Sequence, residues 1–251
     1  MKKNNTKIQI TKRDIQIFHI LNEIGLCRSD TIGKIVSPTT LHRTFSLRIG
    51  DLKKTHFIKE LGEKEKMRNQ FGVYLLNNNN ENLKKIKAQT GIEFIPSFYT
   101  TSFTLYNHQI LVGKLFAFLL EKIRSKNKDY ILNNKDIIGT KTFQRKLQEE
   151  RDNLKEYSDY NLPIPDLILQ NGNTTFCLEL ENTNSYNQFL EKILLYRSLL
   201  LENQGDNFFS LFRKKNIFLV IACWSHKKQR YKQILDENYT GKYLLLDIES
   251  L

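Results

Sequence analysis

The segment from Pro165 to Glu181 leaves this chain few ways to fold. Pro165-Asp166-Leu167-Ile168-Leu169-Gln170 is an apolar run opened by Pro-Asp, Asn171-Gly172-Asn173 is a turn sequence, and Phe176-Cys177-Leu178-Glu179-Leu180-Glu181 alternates in polarity. Two such runs across an Asn/Gly turn predict a hairpin with strands near 166–170 and 175–181. Strand geometry then puts Cys177, Glu179 and Glu181 on one face and Phe176, Leu178 and Leu180 on the other. Two carboxylates projecting together, opposite Asp166 at the start of the partner strand, repel each other unless they are exposed, protonated or neutralised by a cation. Mg2+ or Mn2+ suits such oxygen ligands, and it can polarise a phosphoryl oxygen and help deprotonate an attacking water.

The chain beyond the hairpin supplies a second reason for that charge to be tolerated. A helix is expected from about Ser185 to Asn203, and on it Lys192 shares an arc with Phe189, Tyr196 and Leu199, so it points toward the sheet. A lysine directed inward needs a partner, and the acidic group is the nearest one by topology. An edge-strand ion pair with no chemistry would leave the same pattern. A strand Ile217–Cys223, a helix Ser225–Asn238 and a strand Tyr243–Asp247 follow, so the C-terminal part reads as an α/β sheet covered on both sides. Before the hairpin, 126–161 parses less clearly, with a strand expected within Tyr130–Ile138 and a helix within Thr142–Leu154.

The first hundred residues read differently. They hold 18 Lys/Arg against 9 Asp/Glu, while residues 101–251 hold 21 against 18, so most of the net +12 lies at the N-terminal end. An excess concentrated in this way suits a polyanion, although solvated lysines in a Lys/Asn-rich composition would look alike. Thr11-Lys12-Arg13-Asp14 has the form of a capping box, and Ile15, Phe18 and Leu21, with Leu26 beyond, recur near helical spacing, so a first helix is expected over roughly 12–24, closed by Gly25. Ser29 can cap a second helix that Ser37-Pro38 ends. In a third helix, about Thr40 to Lys54, Leu41, Phe45, Ile49 and Leu52 form one arc. His42, Arg43, Ser46, Gly50, Lys53 and Lys54 share the other side, with Leu47 misplaced among them and Arg48 near the apolar arc. Strands at Phe57–Leu61 and Gln70–Leu76, joined by the charged segment 62–69, complete three helices and a hairpin. That is the order of a winged helix, whose third helix enters the major groove. A protein-interaction module is the alternative use of the same pattern.

A polar break at Asn77–Asn80 and a short helix at 81–89 lead to Gly91–Tyr99, where a boundary between a 1–92 winged-helix domain and a 100–251 α/β domain is expected. A helix over Thr104–Ile123 places Leu111, Val112, Leu115, Phe118, Leu119 and Ile123 on one arc with His108 among them. A lone histidine there reads as a hydrogen-bonded core residue. No apolar run approaches the ~20 residues of a membrane span, no signal peptide follows Met1, and Cys27, Cys177 and Cys223 form no CxxC. The expectation is a cytoplasmic protein with buried free thiols, no membrane contact and no zinc site.

Taken in order, the winged helix opening with Thr-Lys-Arg-Asp, the His108 helix, the Pro-Asp strand, the Glu-x-Glu strand and the helix carrying Lys192 and Tyr196 resemble the plasmid replication-relaxation proteins. The resemblance covers most of the chain in order and spacing, through motifs that are individually common. It implies an α/β protein in which an N-terminal winged helix-turn-helix precedes a domain of the PD-(D/E)xK nuclease type. In that pattern Asp166 and Glu179 match the metal-ligand positions, for Mg2+ or Mn2+. Glu181 stands at the usual Lys position, and Lys192 is a migrated replacement from the next helix, completing the catalytic set. The implied DNA-binding residues are His42, Arg43, Ser46, Lys53 and Lys54. The implied partners are double-stranded DNA and relaxase or replication proteins. Winged helices often pair, so a second copy of the chain is a further expected partner, although no dimerisation signal is present. Three functions follow: a DNA-binding accessory protein of a plasmid or mobile element, in replication, relaxation or mobilisation; a metal-dependent DNA endonuclease targeted by its winged helix; or a transcriptional regulator whose C-terminal domain binds a partner.

Overall fold

Thr11 sets the start of the first helix. Its hydroxyl accepts from the Asp14 amide at 3.3 Å while Asp14 Oδ2 accepts from the Thr11 amide at 2.8 Å, the reciprocal box that the Thr-x-x-Asp spacing predicts. Helix α1 (Lys12–Ile24) ends at Gly25, whose φ of 91° is one that a residue with a Cβ rarely adopts. The computed structural model describes residues 8–36, 42–61, 72–94, 103–153, 162–181, 185–203 and 209–251. It is mixed α/β and divides into two compact units, Met1–Asn134 and Lys135–Leu251. The division falls later than the boundary expected between residues 92 and 100.

In the first unit, strand β1 (Leu26–Arg28) precedes helices α2 (Ser29–Val36) and α3 (His42–Lys54) and strands β2 (Ile58–Glu60) and β3 (Val73–Leu76). The strands form an antiparallel sheet in the order β1-β3-β2, with Leu26 opposite Leu75 and Ile58 opposite Leu76. Strand β1 is absent from the sequence reading because three residues are too few to show alternation; only their pairing with β3 makes them a strand. The expected strand from Gln70 begins at Val73, and residues 62–71, like 37–41, lie outside the described residues.

The core of this unit joins Ile17, Phe18 and Leu21 of α1 to Ile32 of α2 and to Phe45, Ile49 and Leu52 of α3. Each fully buried side chain of this size contributes about 2 kcal/mol, which is what fixes the rotation of α3 about its axis. Helix α4 (Asn80–Thr90) is capped by Asn79 and stopped by Gly91 in the left-handed conformation. Helix α5 (Phe103–Lys126) packs on β1 and α2, and its Arg124 donates to the carbonyl oxygens of Lys34 and Ile35 at 3.0 and 2.7 Å, closing the C-terminal end of α2. The single apolar arc expected for α5 is too narrow. Phe116 and Leu120 are fully buried along with Leu115, whereas Phe118 and Ile123 are half-buried, so this helix is enclosed on more than one side. Among the described residues no helix is long and apolar enough to cross a membrane.

The second unit holds strand β4 (Ile137–Gly139), helix α6 (Thr140–Asn153), strands β5 (Leu167–Asn171) and β6 (Thr174–Glu181), helix α7 (Tyr186–Glu202), strand β7 (Asn216–Cys223), helix α8 (Ser225–Asn238) and strand β8 (Lys242–Asp247). They build one five-stranded sheet in the order β4-β5-β6-β7-β8. The β4-β5-β6 pairs are antiparallel and the β6-β7-β8 pairs parallel. Gly172 makes the hairpin turn at φ 58°. The strand expected within Tyr130–Ile138 is confined to Ile137–Gly139, after a single 3-10 turn. Parallel neighbours require crossovers, which α7 and α8 supply. Both lie against the face that carries Ile168, Cys177, Leu219 and Ile221, through Phe189, Ile193, Tyr196, Tyr231 and Leu235. On the other face Leu167, Leu178, Leu180, Val220 and Ala222 are also buried, so the central strands are enclosed on both sides.

Candidate functional site

The hairpin register decides which carboxylates meet. Asp166 directly precedes β5; its amide donates to Leu178 O at 3.1 Å and its Oδ2 accepts from the Leu180 amide at 2.8 Å. Asp166 is thereby held against β6 between the two glutamates in sequence. Alternation along β6 turns Glu179 and Glu181 toward α7, on the face of Cys177, as the sequence pattern predicts.

Helix α7 brings the complementary groups. Ser185 caps it, its hydroxyl accepting from the Gln188 amide at 3.3 Å. Lys192 and Tyr196, one turn apart on that helix, both reach the acidic strand. Lys192 Nζ donates to Glu179 Oε2 at 3.0 Å and to Glu181 Oε2 at 3.1 Å, and the Tyr196 hydroxyl donates to Glu179 Oε1 at 2.6 Å. Glu179 and Glu181 are buried, at 2% and 4% exposure, while Lys192 retains a solvent-facing side. The inward direction read for Lys192 is therefore what the structure has.

Burial dominates the electrostatics. It raises the Glu179 carboxyl to about 7, helped by the charge of Asp166 and opposed by Lys192 and Tyr196. Lys192 is moved in the opposite sense: burial lowers it, but the charges of Glu179, Glu181 and Asp166 outweigh that and raise it. The two directions are consistent, because a permanently charged ammonium shared by several carboxylates does not compensate the desolvation of each. Tyr196 is raised well above the usual phenol range by burial and then by Glu179, so it remains a hydrogen-bond donor. Tyr231, stacked on Phe189 with centroids 4.0 Å apart, is raised by burial and then by the charge of Glu181.

The oxygen donors fit a hard divalent cation in one respect. Asp166 and Glu179 lie close enough for one charge to act on the other, and a carboxylate oxygen that accepts one hydrogen bond keeps a second lone pair. Among the described residues no group of three or more His, Cys, Asp and Glu is arranged to hold a metal. Tyr196 was legible only as a partner of Lys192 in spacing; its bond to Glu179 adds it to the site. Tyr231 carries no sequence signal, since the crossover that places α8 against α7 is a tertiary event.

The candidate DNA-binding residues divide. Arg43, Ser46 and Lys54 are exposed on α3, whereas the side chain of His42 lies outside the described residues. Lys53 forms an ion pair with Glu60 on β2 and is half-exposed. Leu47, misplaced on the sequence wheel, is 64% exposed. Arg48 has an interior role: its Nε donates to Asp14 Oδ1 at 2.9 Å and its Nη2 to both Asp14 Oδ2 and the Gln9 carbonyl. Asp14 is fully buried, and Arg48 and the Thr11 bonds hold its carboxyl below its usual value against the effect of burial. His108 is half-buried in α5, and Cys27, Cys177 and Cys223 are buried free thiols.

Comparison with protein-family models, with curated proteins and with solved structures finds no match to this chain.

Proposed function

We propose that the chain is a DNA-binding accessory protein of a plasmid or mobile element, acting in replication, relaxation or mobilisation, with a nuclease-like C-terminal unit. One observation carries the DNA-binding part. Helix α3 is anchored by Phe45, Ile49 and Leu52, which leaves Arg43, Ser46 and Lys54 on its exposed side, and it sits within a helix-strand-helix-helix-strand-strand order that supports a winged helix. Cations on such a helix reach phosphates and base edges together. Titrating labelled duplex DNA at a series of salt concentrations tests it: affinity should fall steeply with salt, and no binding at low salt would remove this reading.

A second reading, a metal-dependent DNA endonuclease, is favoured by the convergence of Asp166, Glu179 and Lys192 on one end of the sheet. A divalent cation held by Asp166 and Glu179 would polarise a phosphoryl oxygen and activate a water. Lys192 supplies a fixed positive charge where negative charge develops on the phosphate, and Tyr196 fixes the Glu179 carboxylate in place. Glu181 works against phosphate binding, because it adds a third carboxylate to the two that would hold the cation. The test is a supercoiled plasmid with Mg2+ or Mn2+: the wild type should nick it, and Asp166→Asn, which keeps an acceptor for the Leu180 amide, should not. Equal nicking by both removes the enzymatic reading and leaves the accessory role, or a regulator whose second unit binds a partner.

A further inference from the structure

The exposed side of α3 carries two residues that the fold itself does not ask for. Leu47 is a large apolar side chain left 64% exposed in the middle of a helix whose other aliphatic anchors, Ile49 and Leu52, are buried. Gly50, one turn further along the same side, is interior to the helix, where glycine destabilises relative to alanine. A Cβ built at Gly50 meets nothing within 4 Å, and its φ lies outside the positive range that favours glycine, so neither packing nor backbone conformation requires a glycine there. By contrast, a Cβ at Gly113 would come within 3.2 Å of Cys27 Sγ, which gives that helical glycine an internal reason.

Helical spacing groups these positions. Arg43 and Leu47 are four apart, Ser46 and Gly50 four apart, Leu47 and Gly50 three apart, and Gly50 and Lys54 four apart. The helix has one carboxylate, Asp51, whose charge acts on Arg48. This side of the helix is thus an exposed apolar side chain and a half-buried position without a side chain, set between cations. That combination matches the floor of a DNA major groove, where the phosphates at the rims are anionic and the only prominent apolar group among the bases is the thymine 5-methyl.

Resting on the DNA-binding reading above, we propose that Leu47 reads a thymine methyl and that Gly50 lets the α3 backbone approach the duplex closely, with Arg43 and Lys54 holding the rims of the groove. Leu47 and Gly50 are then the determinants of sequence preference, while the cations determine affinity.

The test uses the full chain and a duplex selected by it from a random-sequence pool. Each thymine of that duplex is replaced in turn by deoxyuracil, which removes only the 5-methyl group. At one thymine the wild type should lose about fourfold in affinity, the factor that burying one such carbon gives. Leu47→Ala should be weaker on the thymine duplex by a similar factor and indifferent to the same replacement. Gly50→Ala should melt at a higher temperature than the wild type and bind the selected duplex less tightly. If wild type and Leu47→Ala respond alike at every thymine, or Gly50→Ala binds as well as wild type, the assignment is overturned while DNA binding stands. If no duplex is selected and none binds at low salt, both fall together.

Discussion

Lys192 Nζ stands 3.0 Å from Glu179 Oε2, across 13 positions of chain and from a different element, and the same nitrogen is 3.1 Å from Glu181 Oε2. One ammonium therefore serves two buried carboxylates that a strand would otherwise leave facing each other on the same side. The arrangement explains how β6 can carry Glu-Leu-Glu inside an α/β unit. It also means that the state of Glu179 is the sensitive variable of the site.

Glu179 has a carboxyl raised to about 7 in the folded chain against 4.5 as its ordinary value, so between these pH values the folded state binds a proton that the unfolded state does not. Stability from this group is then fully present below about pH 4.5 and lost as pH rises through 7. Glu179→Gln should flatten that dependence: the difference in unfolding free energy between variant and wild type should grow in the variant's favour by roughly 2–3 kcal/mol from pH 5 to pH 8. Urea titrations at both pH values measure it, and a difference that does not change with pH would refute the assignment.

Removing the ammonium should have the opposite balance. Lys192→Met removes the ammonium that the buried Glu179 and Glu181 share, a loss of about 3 kcal/mol at pH 8. At pH 5 a protonated Glu179 needs no cation, so the cost should be clearly smaller. Equal losses at both pH values would show that the loss does not come from the charge of Glu179.

In the first unit, Asp14 serves both the cap of α1 and the guanidinium of Arg48. Arg48→Ala should cost about 3 kcal/mol, because it strands a fully buried carboxylate, and Arg48→Met with Asp14→Asn should recover part of the loss. Since the Asp14 carboxyl is held below its ordinary value, the pair's contribution is present above the usual carboxylate range and disappears as pH falls through the depressed value. Thermal melts at decreasing pH should therefore bring wild type and Arg48→Ala closer together as the carboxyl protonates, and a gap that stays constant would refute the pairing.

Lys53 and Lys54 are adjacent in sequence but not equivalent. Lys53 is paired with Glu60 on β2, while Lys54 is exposed. If α3 meets duplex DNA, Lys54→Gln should reduce the slope of log affinity against log salt by about 1, and Lys53→Gln should change it less. A larger effect at Lys53 would place the phosphates on the β2 side of the helix.

The wheel of α3 shows how far a pattern carries. Phe45, Ile49 and Leu52 are buried as their spacing requires, so Leu47 has to be outside, and its apparent misplacement is a property of the surface rather than a flaw in the pattern. Arg48 is the counterexample. Its position near the apolar arc carried no hint of Asp14, which lies 34 residues earlier and is brought to it only when α1 packs on α3.

The sequence by itself determined the local elements and the facing of their side chains: the capping box at Thr11, the turn at Gly172, the alternation that sends Glu179 and Glu181 the same way, and the inward stripe of Phe189, Lys192 and Tyr196. These depend on fixed periodicities of 2 and 3.6 residues and on short-range bonds. Only the tertiary structure decided that β1 is a strand, that Lys53 answers to Glu60, that Tyr196 grips Glu179, and that Tyr231 stacks on Phe189. Each of those joins separate elements, and such meetings are set by how whole elements pack rather than by the pattern within any one of them.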